Sequence, residues 1–234
     1  MGDSVRGAII AAGEGSRLRA DGYRVPKPMV EVAGLPLIGA VLRNFTTAGI
    51  TAITIILNEQ ERECVQWVRT RFPALEIDFI VKTTASSLES FREVTGRGPA
   101  GPVLVSTVDA WCAAEDFARF AAAAASRPDD ATVLAVTPFV SDEKPLWVTL
   151  GAGGRVEGLG TGDSGLVTAG VYRVSDRARR LAPTRELGRL REYLGWLHES
   201  GEPLYGEIIE TVVDVDRALD VASAEALARG VRRT

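Results

Sequence analysis

A run of small and charged residues near the start of the chain carries its most specific chemistry. The apolar run Ala8-Ile9-Ile10-Ala11-Ala12 breaks into Gly13-Glu14-Gly15-Ser16-Arg17-Leu18, and Pro26-Lys27-Pro28 follows. A short apolar run bounded by turn residues is the pattern of a buried strand, and glycines directly after it let backbone N–H groups converge on a phosphate. Arg17 offers a rigid fork of donors and Lys27 a compact point charge, so the pair suits a triphosphate held from two directions. Further on, Val103-Leu104-Val105-Ser106-Thr107-Val108 runs into Asp109. That order puts a carboxylate at the carboxyl end of a central strand, where open α/β sheets hold ligands. Late in the chain, Val213-Asp214-Val215-Asp216 alternates so that both acids face one side. Plainer assignments compete: a glycine-rich turn with surface charges, Asp109 capping the next helix, Asp216 as N-cap of the last helix, and Asp220 as solvated surface charge.

The glycine loop is neither of two common phosphate cradles. A Walker loop would place Lys and Ser/Thr straight after its last glycine, and the dinucleotide fingerprint would need a third glycine near Leu18. Residues 11–18 with Pro26-Lys27-Pro28 and the closing aspartates instead resemble the signature of the sugar-phosphate nucleotidyltransferases. The resemblance implies an α/β fold, a three-layer Rossmann-like sandwich on a mixed, mostly parallel sheet (the nucleotide-diphospho-sugar transferase fold). It implies Mg2+-dependent transfer of an NMP from an NTP to a sugar-phosphate or related alcohol phosphate, with release of pyrophosphate. Residue by residue, it makes Arg17 and Lys27 the catalytic cations. Ala11, Ala12, Gly13, Glu14, Gly15 and Ser16 become the nucleotide loop, and Thr83, Thr84 and Ser87 the hydroxyls near the base. Gly170, within Thr168-Ala169-Gly170-Val171-Tyr172, lines the acceptor pocket, and Asp109 holds Mg2+ with Asp214 or Asp216.

Several points stay open within that reading. Thr83, Thr84 and Ser87 also suit a helix cap, and Gly170 also suits a bulge. Relatives place glycine before the metal-binding aspartate where this chain has Val108. That departure leaves room for a nucleotide-binding regulator of the same fold without turnover. A guanylyl- or cytidylyltransferase acting on a cofactor or isoprenoid precursor is a further alternative. Glu143-Lys144-Pro145 precedes Gly154-Arg155-Val156 where the family has the reverse order, so no substrate role passes to Lys144. Trp147, Tyr172, Tyr205 and Glu207 are pocket candidates, and His198 reads as structural.

The rest of the chain must position these groups. With 234 residues, 46% of them hydrophobic, it is long enough to bury a core without staples, which predicts one domain over 1–234, a nucleotidyltransferase domain as the resemblance implies. About 1–110 would be the nucleotide-binding half and about 111–234 the acceptor-binding half with the closing metal motif. Against 31 acidic residues stand 27 basic ones, a net charge of −4 that predicts neither nucleic acid nor membrane as partner. The expected partners are an NTP and a small phosphorylated acceptor, with a homo-oligomer left open. Cys64 and Cys112 suit neither a zinc site nor a disulfide framework, and no apolar run approaches the ~18 residues of a membrane span, so a cytoplasmic location is expected.

Strand and helix patterns alternate as in a parallel sheet covered on both faces. Strands are expected at 51–57, 77–81 and 103–108, and helices at 35–48, 59–71, 86–94 and 114–126. Strands at 132–136, 146–150, 155–160 and 167–174 read as an antiparallel portion. A helix at 186–200, a last strand at 208–215 and a closing helix at 216–229 complete the pattern.

Overall fold

The computed structural model describes residues 5–140, 144–160, 162 and 164–230. The first half runs β1 (Arg6–Ala11), α1 (Ser16–Ala20), β2 (Glu31–Val32), β3 (Leu35–Pro36), α2 (Leu37–Thr47), β4 (Ala52–Leu57), α3 (Arg62–Arg71), β5 (Glu76–Val81), α4 (Ser87–Gly96) and β6 (Val103–Thr107). There follow β7 (Ala110–Trp111), α5 (Ala114–Ala125), β8 (Thr132–Thr137), β9 (Val148–Leu150), β10 (Val156–Leu159), β11 (Val167–Val174), α6 (Asp176–Arg180), α7 (Leu190–Glu199), β12 (Leu204–Ile208), β13 (Val213–Asp214) and α8 (Ala218–Ala228).

Seven strands form the central sheet in the order β12-β8-β11-β6-β1-β4-β5. Every neighbouring pair is parallel except the two made by β11. The expected antiparallel portion is therefore narrower than the sequence suggested. Only β11 reverses within the sheet, and β9 and β10 form a separate antiparallel ribbon. Alternation along β1 sends Ile9 and Ala11 into one buried layer with α2, α3, α5 and α8, and Ala8 and Ile10 into another with α4, α6 and α7. A central parallel strand buried on both faces needs such a continuous apolar run. Phe45 and Phe117 lock α2 to α5 edge to face, ring centres 5.0 Å apart.

Three boundaries differ from the sequence reading. The last sheet strand is Leu204–Ile208, not 208–215. Ile209, Val212, Val213 and Val215 are buried as core side chains outside the main sheet, so their apolar pattern imitates a strand. Helix α2 begins at Leu37 because Leu35-Pro36 pairs with Glu31-Val32 around Ala33-Gly34, both at positive φ. Helix α7 begins at Leu190, where the Glu192 carboxylate accepts the N–H groups of Gly188 and Arg189.

Candidate active site

The carboxyl ends of β1 and β6 lie side by side, since Ile10 registers with Thr107. Val108 continues that pairing by donating its N–H to the Ile10 carbonyl, and its side chain is buried in the core. The residue in the usual glycine's place thus points away from the site, and Asp109 reaches forward. Asp109 does not cap the next helix, whose N-cap is Ala113.

Remote acids arrive through a two-residue bridge: β13 pairs antiparallel with β7, setting Asp214 opposite Ala110, and Val215 donates its N–H to the Asp109 carbonyl. Asp216 follows without being the cap of α8; that position belongs to Arg217. Nor is Asp220 only solvated, because its carboxylate accepts the N–H groups of Asp216 and Arg217 and so fixes the backbone that carries Asp216.

Lys27 enters from the other end of the sequence. Pro26 and Pro28 hold its backbone in a short helical turn, and the side chain is only 7% exposed. Its Nζ donates to Asp109 Oδ2 at 2.6 Å and to Asp216 Oδ1. Arg17 donates to Asp216 Oδ2 at 2.8 Å. Burial alone would lower the Lys27 pKa, but Asp109 and Asp216 outweigh it and hold the pKa above the ordinary lysine value. Asp109 shows the mirror effect: burial favours its neutral form, the Lys27 charge opposes that, and its pKa falls below the usual carboxylate range. Gly15 makes the approach feasible. It sits at φ 60°, and a Cβ there would lie 2.8 Å from Lys27 Cβ. Gly13 has no such neighbour.

Oxygens of Asp109, Asp214 and Asp216 all lie within 4.8 Å of one another. Such hard donors suit Mg2+, which takes one or two carboxylates and completes its shell with phosphate oxygens and water. The two late aspartates, alternatives in the sequence, come to the same place.

Beyond Asp109 a cleft of about 180 Å3 opens, with Asp109, Asp214, Thr107, Thr168, Tyr172 and Arg191 among its polar lining. Phe139, Leu146 and Val212 supply apolar wall. Burial pushes the Tyr172 phenol up to about 12, so it stays a neutral hydrogen-bonding group. Gly170 lines this cleft at φ 71°, beside a register shift in β11; a Cβ there would meet Thr107 Oγ1 at 2.7 Å. Its lack of a side chain therefore serves strand packing as well as the cleft. Arg191 was missed in the sequence because nothing in a helical Leu-Arg-Glu stretch marks it; the topology brings it here. Pro145 lines the cleft, whereas Glu143 lies outside the described residues. Trp147, Tyr205 and Glu207 do not line it; Tyr205 and Glu207 hold Arg127 instead.

On the opposite flank, Glu14, Arg19, Asn58, Glu61 and Thr83 line a second cleft of about 410 Å3. Ala11 and Ala12 are buried where β1 ends, and Ser16 starts α1 without a side-chain cap. Thr83 bonds Asn58 Oδ1, Thr84 shares a 2.7 Å hydrogen bond with Ser90, and Ser87 Oγ accepts the Leu190 N–H. Ser86, not Ser87, caps α4. Of the three expected hydroxyls, the structure places Thr83 on this cleft and engages the other two in hydrogen bonds within the protein, to Ser90 and to the Leu190 N–H.

Residues 7–192 match the family of MobA-like NTP transferase domains. The chain belongs to this family. Among curated members of similar sequence, it is 27% identical over 90 residues to a CMP-5'-(3-aminopropyl)phosphonate synthase of Streptomyces rubellomurinus, covering 38% of this chain and 14% of that protein. It is 30% identical over 95 residues to a 2-aminoethylphosphonate cytidylyltransferase of Lancefieldella rimae, covering 38% of each. In both cases the match spans well under half of the relative. The NTP transferase fold itself matches the inositol-1-phosphate CTP transferase of T. maritima with TM-score 0.79 at 17% identity, over 99% of both chains. Among the described residues no helix is long and apolar enough to cross a membrane.

Proposed function

We propose that this chain is a Mg2+-dependent nucleotidyltransferase that moves an NMP, CMP in the first instance, from its triphosphate to a small phosphate- or phosphonate-bearing acceptor. The observation that carries this reading is the convergence of Lys27, Arg17 and three aspartates at the mouth of a cleft that also presents Arg191. The names of the phosphonate relatives support cytidine and a short acceptor. The nucleotide sits on the loop of residues 11–16, with its base toward Thr83; the acceptor lies in the cleft beside Gly170, held by Arg191. In terms of the chain, residues 1–110 hold the nucleotide, and 111–234 supply the acceptor side and the closing acids.

The acceptor oxygen is anionic at neutral pH and attacks the α-phosphorus in line, so the chain needs no general base. The obstacle is repulsion between two polyanions and charge gathering on the leaving pyrophosphate. Lys27 lies between the two clefts and neutralises donor and acceptor together. Arg17 and the loop N–H groups receive pyrophosphate charge, and Arg191 orients the acceptor. Asp109 and Asp214 or Asp216 would hold Mg2+, which would supply Lewis-acid neutralisation of phosphate charge. Pyrophosphate release measured for CTP, ATP, GTP, UTP and dTTP against 2-aminoethylphosphonate, 3-aminopropylphosphonate, inositol 1-phosphate and glucose 1-phosphate tests the reading. Rapid release with CTP and a phosphonate is expected; no release with any pair overturns it.

A further inference from the structure

Lys27 occupies carboxylates of the acid cluster that could hold a divalent ion. Its ammonium sits on Asp109 Oδ2 and Asp216 Oδ1, and Arg17 takes the remaining oxygen of Asp216. These are two of the three clustered acids. The backbone that carries Asp216 is held in place, because Asp220 accepts its N–H and that of Arg217. The stem of Lys27 is equally confined, buried and pressed against Gly15. Only the terminal torsions of lysine remain to carry its charge elsewhere, a movement that a flexible four-carbon chain makes readily.

We infer that Lys27 and Arg17 are internal counter-ions that keep the acid cluster closed to a free divalent ion, and that a nucleoside triphosphate opens it. Phosphates on the loop of residues 11–16 draw both cations away from the carboxylates, which frees Asp109 and Asp216 for the ion. An ion bonded to Asp109 while Lys27 remained in place would face the ammonium across a single carboxylate, and like charges at that separation repel strongly. Nucleotide and metal therefore bind with positive, reciprocal coupling, and each alone binds weakly. This deepens the transferase reading and rests on it. It assigns Lys27 a second role, as gate of the metal site.

The test titrates the full chain with Mn2+ in the absence of nucleotide and reads free Mn2+ by electron paramagnetic resonance. Lys27→Gln is expected to bind Mn2+ about tenfold or more tightly than the unaltered protein, since one charge contact is removed. Adding Asp109→Asn is expected to abolish the gain. Equal affinity with and without Lys27 overturns the gate and leaves the transferase reading, judged by pyrophosphate release, standing. A second measurement needs no variant to fold: the Lys27 15Nζ resonance is followed as Mg2+ and a non-hydrolysable CTP analogue are added singly and together. A shift with nucleotide and none with Mg2+ alone is expected, and a shift with Mg2+ alone overturns the proposal. If no triphosphate moves the resonance and none yields pyrophosphate, both readings fall together.

Discussion

On one side of Asp109 the protein pairs charges: a buried lysine and an arginine meet carboxylates drawn from residues 109 and 216. On the other it presents the hydroxyls of Thr107, Thr168 and Tyr172, apolar wall, and one guanidinium from α7. In the proposed function the first side would handle what every nucleoside triphosphate shares, a chain of phosphates, for which fixed charges at fixed places suffice. The second would, on the same proposal, tell one small acceptor from another, which depends on shape and a few donors. Charge placement and recognition are thus divided at a single residue, and each side should fail in its own way when altered.

The largest effect is expected on the charged side. Lys27→Ala removes the cation proposed to serve both phosphates and is expected to raise the barrier by about 3 kcal/mol, a loss of roughly 10²-fold in kcat. Pyrophosphate release measures it, with circular dichroism to show that the fold persists. Loss seen only in the acceptor KM would break the division, since Lys27 would then belong to recognition.

The charged side was also the legible side. Gly13-Glu14-Gly15, Arg17 and Pro26-Lys27-Pro28 are close in sequence, and phosphate binding demands those residue types at that spacing. Asp109 was legible because a six-residue apolar strand leads into it. Asp214 and Asp216 could be named but not ranked, because the bridge of β13 to β7 that brings both to Asp109 is only two residue pairs long. Arg191 was invisible: a helical arginine has no local signature, and its place on the cleft follows from how α7 packs. The valines and isoleucines at 208–215 misled for a related reason. Ile208 is exposed and ends β12, Val213 pairs only in the short β13, and burial outside any strand selects Ile209, Val212 and Val215, which looks the same in sequence.

A pH experiment sharpens the view of the nucleotide flank. Burial raises the Glu61 carboxyl from 4.5 to about 7, against the hydrogen bond it accepts from the Asn58 N–H. An unfolded chain would release this proton near 4.5 while the folded one keeps it, so stability contributed by protonated Glu61 is full below 4.5 and is lost as pH rises to 7. The full loss, complete above pH 7, should be about 3 kcal/mol. Urea unfolding at pH 5 and pH 8 should show a steeper fall for the unaltered protein than for Glu61→Gln. Equal slopes would place the carboxyl in water.

On the recognition side, Arg191→Ala is expected to raise the acceptor KM about tenfold, or about 1.4 kcal/mol, through loss of one guanidinium–phosphate contact. The thermal shift produced by CTP should not change. A fall in nucleotide affinity of similar size would mean that Arg191 also serves the donor, and the boundary at Asp109 would have to move.

The smallest effect should come from a residue outside both sides. Arg127 stands 4.8 Å from the centre of the Tyr205 ring, pairs with Glu207 at 2.5 Å and donates to the Gly153 carbonyl at 2.7 Å. It therefore ties the turn between β9 and β10 to β12, one of the two edge strands. The pair is about a quarter exposed, and partly solvated ion pairs and cation–π contacts contribute at most about 1 kcal/mol each. Arg127→Ala should lower the melting temperature by a few degrees at most, on the order of 2–4 °C per kcal/mol for a chain of this size, with kcat and acceptor KM unchanged. A changed acceptor KM would mean that the β9–β10 ribbon reaches into recognition from behind, through Leu146 and the strand that follows it. The cleft would then be shaped by the edge of the sheet as well as by its carboxyl ends.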